Sequence, residues 1–203
     1  MKKIAVFVSG GGTNLQALID AQGETLKSGE IALVVSNAAG AYALERAQKA
    51  GIPTEVVLKK ACGSQEAFEE RLKEILTEYG IDIIVLAGFM TILTEGFTSA
   101  YPKRILNVHP SLIPSFCGEG FYGLRVHQAA LDYGVKVTGA TVHFVNEIPD
   151  GGEIIAQKAV YIEPGDTPEI LQRRVMEQAE WILLPQAAEA VCASLGGKEH
   201  ECL

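Results

Sequence analysis

Strands and helices alternate along this 203-residue chain, and the alternation predicts an α/β fold with a mostly parallel, twisted sheet flanked by helices. Three observations carry that prediction. Short apolar runs rich in β-branched residues, above all Ile83-Ile84-Val85-Leu86, fall between stretches of helical period. Glycines stand where helices would stop, at Gly51 and Gly80. The final amphipathic stretch, 167–195, is much longer than the others and predicts a long C-terminal helix.

Residues 3–8 read as the first strand. Lys2 and Lys3 precede its apolar run as they would in a leader, but Ser9-Gly10-Gly11-Gly12 breaks the run too early for a signal segment. A helix follows over 14–21, a buried strand over 31–35 and a helix over 43–50. Residues 54–58 form a short strand; 65–79 form a helix that Ser64 caps and Gly80 ends. The 83–86 strand has the character of a central parallel one. Next come a short helix over 94–101, a strand ending in Asn107-Val108-His109, and a helix over 126–133. Strands over 137–145 and 154–161 precede the last helix. With no repeats or linkers, residues 1–195 read as one domain and 196–203 as a frayed tail.

Composition excludes several classes. A formal charge of −8 disfavours nucleic acid and anionic membranes, though a local basic pocket for a phosphate remains open. No later segment is long enough to span a bilayer. Cys62, Cys117, Cys192 and Cys202 are widely spaced, and His109, His127, His143 and His200 form no metal-ligand pattern. Free thiols in the cytoplasm and no metal are the expectation.

In an α/β sheet, ligands gather at the carboxyl ends of strands, and three segments there carry chemistry. Ser9-Gly10-Gly11-Gly12-Thr13-Asn14 lets backbone approach a ligand at a helix N-terminus, or is simply a tight turn. Leu15 stands where a dinucleotide fingerprint needs its third glycine, and no Gly-Lys-Ser/Thr follows. A small phosphomonoester therefore fits better than NAD or ATP. Asn107 and His109, two apart in a strand, project to one face before Pro110 and Pro114 stiffen the exit. An amide donor beside a titratable ring suits acyl-type transfer. Asp150-Gly151-Gly152 is an ordinary turn, or it turns Asp150 toward His109 to raise the imidazole pKa and keep the ring protonated. On that second reading, activity declines in acid as Asp150 protonates and in alkali as His109 loses its proton.

Read together, Ser9 to Gln16, Leu86-Ala87-Gly88-Phe89-Met90, Asn107 to Pro114, and Gly139 to Val145 with Asp150-Gly151-Gly152 resemble the phosphoribosylglycinamide formyltransferases, a 10-formyltetrahydrofolate-dependent family. The resemblance runs from Met1 to about Pro185 and implies a Rossmann-like formyltransferase fold. It implies that the amine of glycinamide ribonucleotide attacks the formyl carbon directly, through a tetrahedral oxyanion and with no covalent enzyme intermediate. Cys117 is then not a nucleophile.

By the same resemblance, Asn107 and His109 hold the oxyanion, His109 is the general acid, and Asp150 raises its pKa and relays protons. Gly12, Thr13 and Asn14 bind the substrate phosphate, and Glu180, or Glu177, its amine. The folate is walled by Met90, Thr91, Ile92 and Leu93 and by Asn146, Glu147, Ile148, Pro149 and Asp150, with Asn107 and Gln65 also in contact. Thr91 and Gln65 replace family arginines near the folate glutamyl tail, and the spacing from the last helix's glutamate to Pro185 is shifted by one residue. The stretch 116–124 is longer than the family's connection and reads as a glycine-hinged loop near the substrate. The partners implied are small molecules only, acting on a monomer or homodimer. A formyltetrahydrofolate deformylase, a methionyl-tRNA formyltransferase and a non-catalytic folate- or nucleotide-binding module are the alternatives.

Overall fold

The computed structural model describes residues 1–196, so of the expected tail only Gly196 falls within the described residues. The described residues form two compact units, 1–91 with 185–196, and Ile92–Leu184. The first holds β1 (Lys2–Val8), α1 (Thr13–Ala21), β2 (Gly29–Ser36), α2 (Tyr42–Lys49), β3 (Thr54–Val56), α3 (Lys59–Cys62), α4 (Gln65–Tyr79) and β4 (Ile83–Leu86). Its strands run parallel in the order β3-β2-β1-β4. Ile4 pairs with Ile31 on one side and Ile83 on the other, so β1 lies inside the sheet, and burial of successive residues shows both its faces covered. Ile4 through Val8 are all fully buried and therefore read as a continuous apolar run. Each large side chain so buried contributes roughly 1.5–3 kcal/mol.

Local signals act as their chemistry requires. Ser64 Oγ accepts the Ala67 amide proton at 3.1 Å to start α4, and Gly80 ends it in the left-handed conformation, φ 65°. In the last helix, α8 (Trp181–Ser194), the Glu189 carboxylate accepts from Lys27 N, Ser28 N and Ser28 Oγ, each at 2.7 Å, and so fixes the entry to β2.

The second unit holds α5 (Glu95–Thr98), β5 (Ile105–His109), α6 (Leu124–Tyr133), β6 (Val137–Phe144), β7 (Ile154–Tyr161) and α7 (Pro168–Val175). Its strands are ordered β5-β6-β7 and pair antiparallel. The stretch between β6 and β7 is too short for a crossover helix, so the chain can only turn back on itself. The long C-terminal helix is present but not uniform: Met176–Glu180 forms a π-helix between α7 and α8. The fold is thus α/β, with mostly parallel strands flanked by helices. No described helix is long and apolar enough to cross a membrane.

Candidate active site

The second unit builds a polar cluster at the end of β5. Asn107 and His109 share a face by the two-residue strand period, and the antiparallel register sets His143 opposite Asn107 and Thr141 opposite His109. Both imidazoles are buried, His109 at 4% exposure and His143 at 1%. Thr141 anchors the Pro-Ser-Leu-Ile-Pro exit: its Oγ1 donates to Ser111 O at 2.7 Å and accepts from Ile113 N at 3.1 Å.

Asp150 reaches this cluster because of the loop after β6. Asn146 Oδ1 accepts from Ile148 N at 3.0 Å, and Gly151 N donates to Ile148 O at 2.9 Å. Asp150 itself lies at φ 56°. At Gly152 a Cβ would run into the Phe144 carbonyl, so the residue must be glycine for the loop to close here. Asp150 Oδ2 lies 3.4 Å from His109 Nδ1 and accepts from Gly118 N at 2.9 Å. Asp150 Oδ1 lies 3.5 Å from both His143 Nε2 and Asn107 Nδ2. The expected proximity of residues 107, 109 and 150 is therefore present.

His143 is a member the sequence reading passed over. Its Nδ1 donates to Phe144 O at 2.7 Å, and its Nε2 lies 3.2 Å from Asn107 Nδ2. The signal was available only through pairing: His143 is far from Asn107 in sequence and adjacent once β5 and β6 run antiparallel. Asn107 Nδ2 stands between His143 and Asp150, and its longer contact, to Asp150, is the one a developing oxyanion would replace.

Burial governs the electrostatics. It pulls the His109 pKa below the ordinary 6.5 and outweighs Asp150 and the Phe116 carbonyl, which both push it up. This corrects the expectation of an imidazole kept cationic: the contact forms, yet the resting ring is neutral near pH 7. Burial is also the largest influence on Asp150 and pushes it up, but His143, His109 and the Gly118 N–H together bring it below the usual carboxylate value. Asp150 is therefore ionised. His127, wholly buried on α6 and with neither ring nitrogen hydrogen-bonded among the described residues, is driven down to about 4 by burial first and His109 second.

The loop after β5 closes over the cluster. His109 Nε2 lies 2.8 Å from Phe116 O, with Phe116 at φ 50° and Gly118, Gly120 and Gly123 also at positive φ. Burial, then Asp150, raises the Cys117 thiol pKa, and its Sγ donates to Pro114 O at 3.3 Å, so it is a poor nucleophile.

Of the remaining expected residues in the second unit, Ile148 is 58% and Ile92 65% exposed, whereas Leu93 is buried and offers no side-chain surface to a ligand. Asn146, Glu147 and Pro149 line the loop that carries Asp150. Glu180, at 6% exposure, ends the π-helix, while Glu177 accepts from the solvated Arg173 at 2.8 Å. The buried carboxylate is the better candidate of the two.

The first unit carries the others. Gly12, at φ 71°, is the N-cap of α1; Thr13 and Asn14 open its first turn. Met90 is 58% exposed and its N–H donates to Ser9 Oγ at 2.8 Å. Thr91 Oγ1 accepts from Asn37 Nδ2 at 2.8 Å, and Gln65 Nε2 donates to Glu69 at 2.6 Å.

An α/β fold with an amide, an imidazole and a carboxylate gathered at strand ends defines an acyl-transfer type of site. Against known proteins, the formyl transferase family pattern matches residues 2–187, and the chain belongs to that family. It is 45% identical over 178 residues to the phosphoribosylglycinamide formyltransferase of Haemophilus influenzae, covering 88% of this chain and 82% of the relative. It is 46% identical over 191 residues to the trifunctional purine biosynthetic protein adenosine-3 of Gallus gallus, covering 94% of this chain but only 18% of that protein's length. Among solved structures, glycinamide ribonucleotide transformylase 1 from Symbiobacterium toebii matches with a TM-score of 0.89 at 43% identity, over 96% of this chain and 89% of the other.

Proposed function

We propose that this chain transfers the formyl group of 10-formyltetrahydrofolate to the amine of glycinamide ribonucleotide, a step of de novo purine biosynthesis. It acts as one domain over residues 1–195, in the cytoplasm, as a monomer or homodimer. The observation that carries this reading is the contact of ionised Asp150 with neutral His109 beside Asn107.

Those groups suit the reaction. As the amine attacks, the new C–N bond forms and the carbonyl electron pair moves to oxygen. The oxyanion takes the Asn107 Nδ2 proton now shared with Asp150, and the His109 Nε2–H now turned to Phe116 O. The amine proton passes to the Asp150 carboxylate and on to His109 Nδ1, which faces it, so the neutral ring becomes cationic as negative charge develops on the oxygen. The interaction is therefore stronger in the transition state than in the ground state. The same proton returns to the folate nitrogen as the oxyanion collapses and the old C–N bond breaks. The Asn146 to Asp150 loop, with exposed Ile148, offers backbone amides and an apolar face for the pterin. Gly12, Thr13 and Asn14 take the phosphate and Glu180 the substrate amine. With Thr91 and Gln65 in place of arginines, the glutamyl tail depends on other contacts.

Absorbance as 10-formyltetrahydrofolate loses its formyl group, followed with and without glycinamide ribonucleotide, tests the proposal. Loss only with the amine is the expected result. Equal loss without it marks a deformylase, and no loss in either case marks a binding module.

A further inference from the structure

The Gly10–Gly12 loop has a second half, contributed by α2. Ala43 N donates to Gly10 O at 3.0 Å, and Arg46 Nε donates to Gly11 O at 2.8 Å. Arg46 is itself fixed: its Nη1 donates to Gln16 Oε1 at 3.0 Å and its guanidinium lies 5.1 Å from the Tyr42 ring centroid. The loop and α2 also pack closely, since a Cβ at Gly12 would come within 2.6 Å of Ala43 Cβ.

In a planar trans peptide, C=O and the next N–H point in opposite directions. Holding the Gly10 and Gly11 carbonyls against α2 therefore turns the Gly11 and Gly12 N–H groups to the other side. Gly12 then enters the left-handed region, φ 71° and ψ 34°, and leads into the first turn of α1. Consecutive amides facing one way at a helix start make a concave anion site, and a single reversed carbonyl would spoil it. We infer that Arg46 is a positioning residue for the substrate's phosphate monoester: it captures the Gly11 carbonyl so that the loop presents amide protons, not oxygen, to the anion.

This rests on the reading of Gly12, Thr13 and Asn14 as the phosphate-binding loop, and one experiment separates the two. KM and kcat are measured for glycinamide ribonucleotide and for its dephosphorylated riboside, in wild type, Arg46→Met and Arg46→Lys. Arg46→Met should raise KM for the phosphorylated substrate about tenfold or more, the scale of a lost charge-assisted hydrogen bond. Turnover at saturation, KM for the formyl donor and KM for the riboside should stay within about twofold, inside the scatter of surface substitutions. Arg46→Lys keeps the charge without the fork, so it should recover less than half of the loss in binding free energy. It also serves as the informative variant if Arg46→Met fails to fold. The inference is overturned if either variant binds the phosphorylated substrate as wild type does, or if both substrates lose affinity equally. If wild type itself binds the two substrates equally, it is the phosphate-loop reading that falls.

Discussion

His143 joins the two groups that do the proposed chemistry, with Nε2 at 3.2 Å from the Asn107 amide and 3.5 Å from the Asp150 carboxylate. After the opposing effect of burial, its hydrogen bond is the leading influence that lowers the Asp150 pKa. Replacing it by phenylalanine should raise that pKa and move the acid limb of kcat/KM to higher pH, measured as a pH–rate profile; an unmoved limb would contradict the role. Asp150→Asn keeps the shape and removes the charge, so kcat should fall about 100- to 10,000-fold with little change in thermal unfolding. The pair at 107 and 109 was legible because i and i+2 in a strand share a face. The ring's protonation was not. The carboxylate contact could be guessed from Asp-Gly-Gly, but the burial that outweighs it belongs to the whole cluster.

Among elements, strand and helix positions were legible wherever a local cap or period set them. Helix α4 begins and ends where Ser64 and Gly80 predict, because both signals act within one turn. The antiparallel return of β6 and β7 and the π-helix were not read from the chain. The first depends on a link too short for a crossover, and the second on one added residue inside an unbroken helical pattern. That added residue turns Glu180 inward while Glu177 stays with Arg173. Glu180→Gln keeps the shape of that buried side chain and removes its charge. KM for the amine substrate should rise about tenfold while KM for the formyl donor holds, the cost of one buried charged hydrogen bond. Unchanged steady-state constants would assign Glu180 no part in binding.

Across the molecule, buried neutral imidazoles tie stability to pH. His127 is charged below 6.5 when unfolded but stays neutral to about 4 when folded. Its contribution is therefore complete above pH 6.5 and is lost as the pH falls toward 4, by about 3 kcal/mol. Urea unfolding of His127→Leu should show a flatter dependence over that window than wild type; parallel curves would refute the buried neutral ring. The same burial sets the behaviour of His109, on which the proposed catalysis turns. The most direct measurement is the titration of His109 by 15N NMR, in the free protein and with a bisubstrate analogue carrying an anionic oxygen at the formyl position. The ring should titrate below 6.5 when free and above it in the complex, where the oxyanion and Asp150 both favour the cation. A free-protein value above 6.5, or one that the analogue leaves unmoved, would contradict the account.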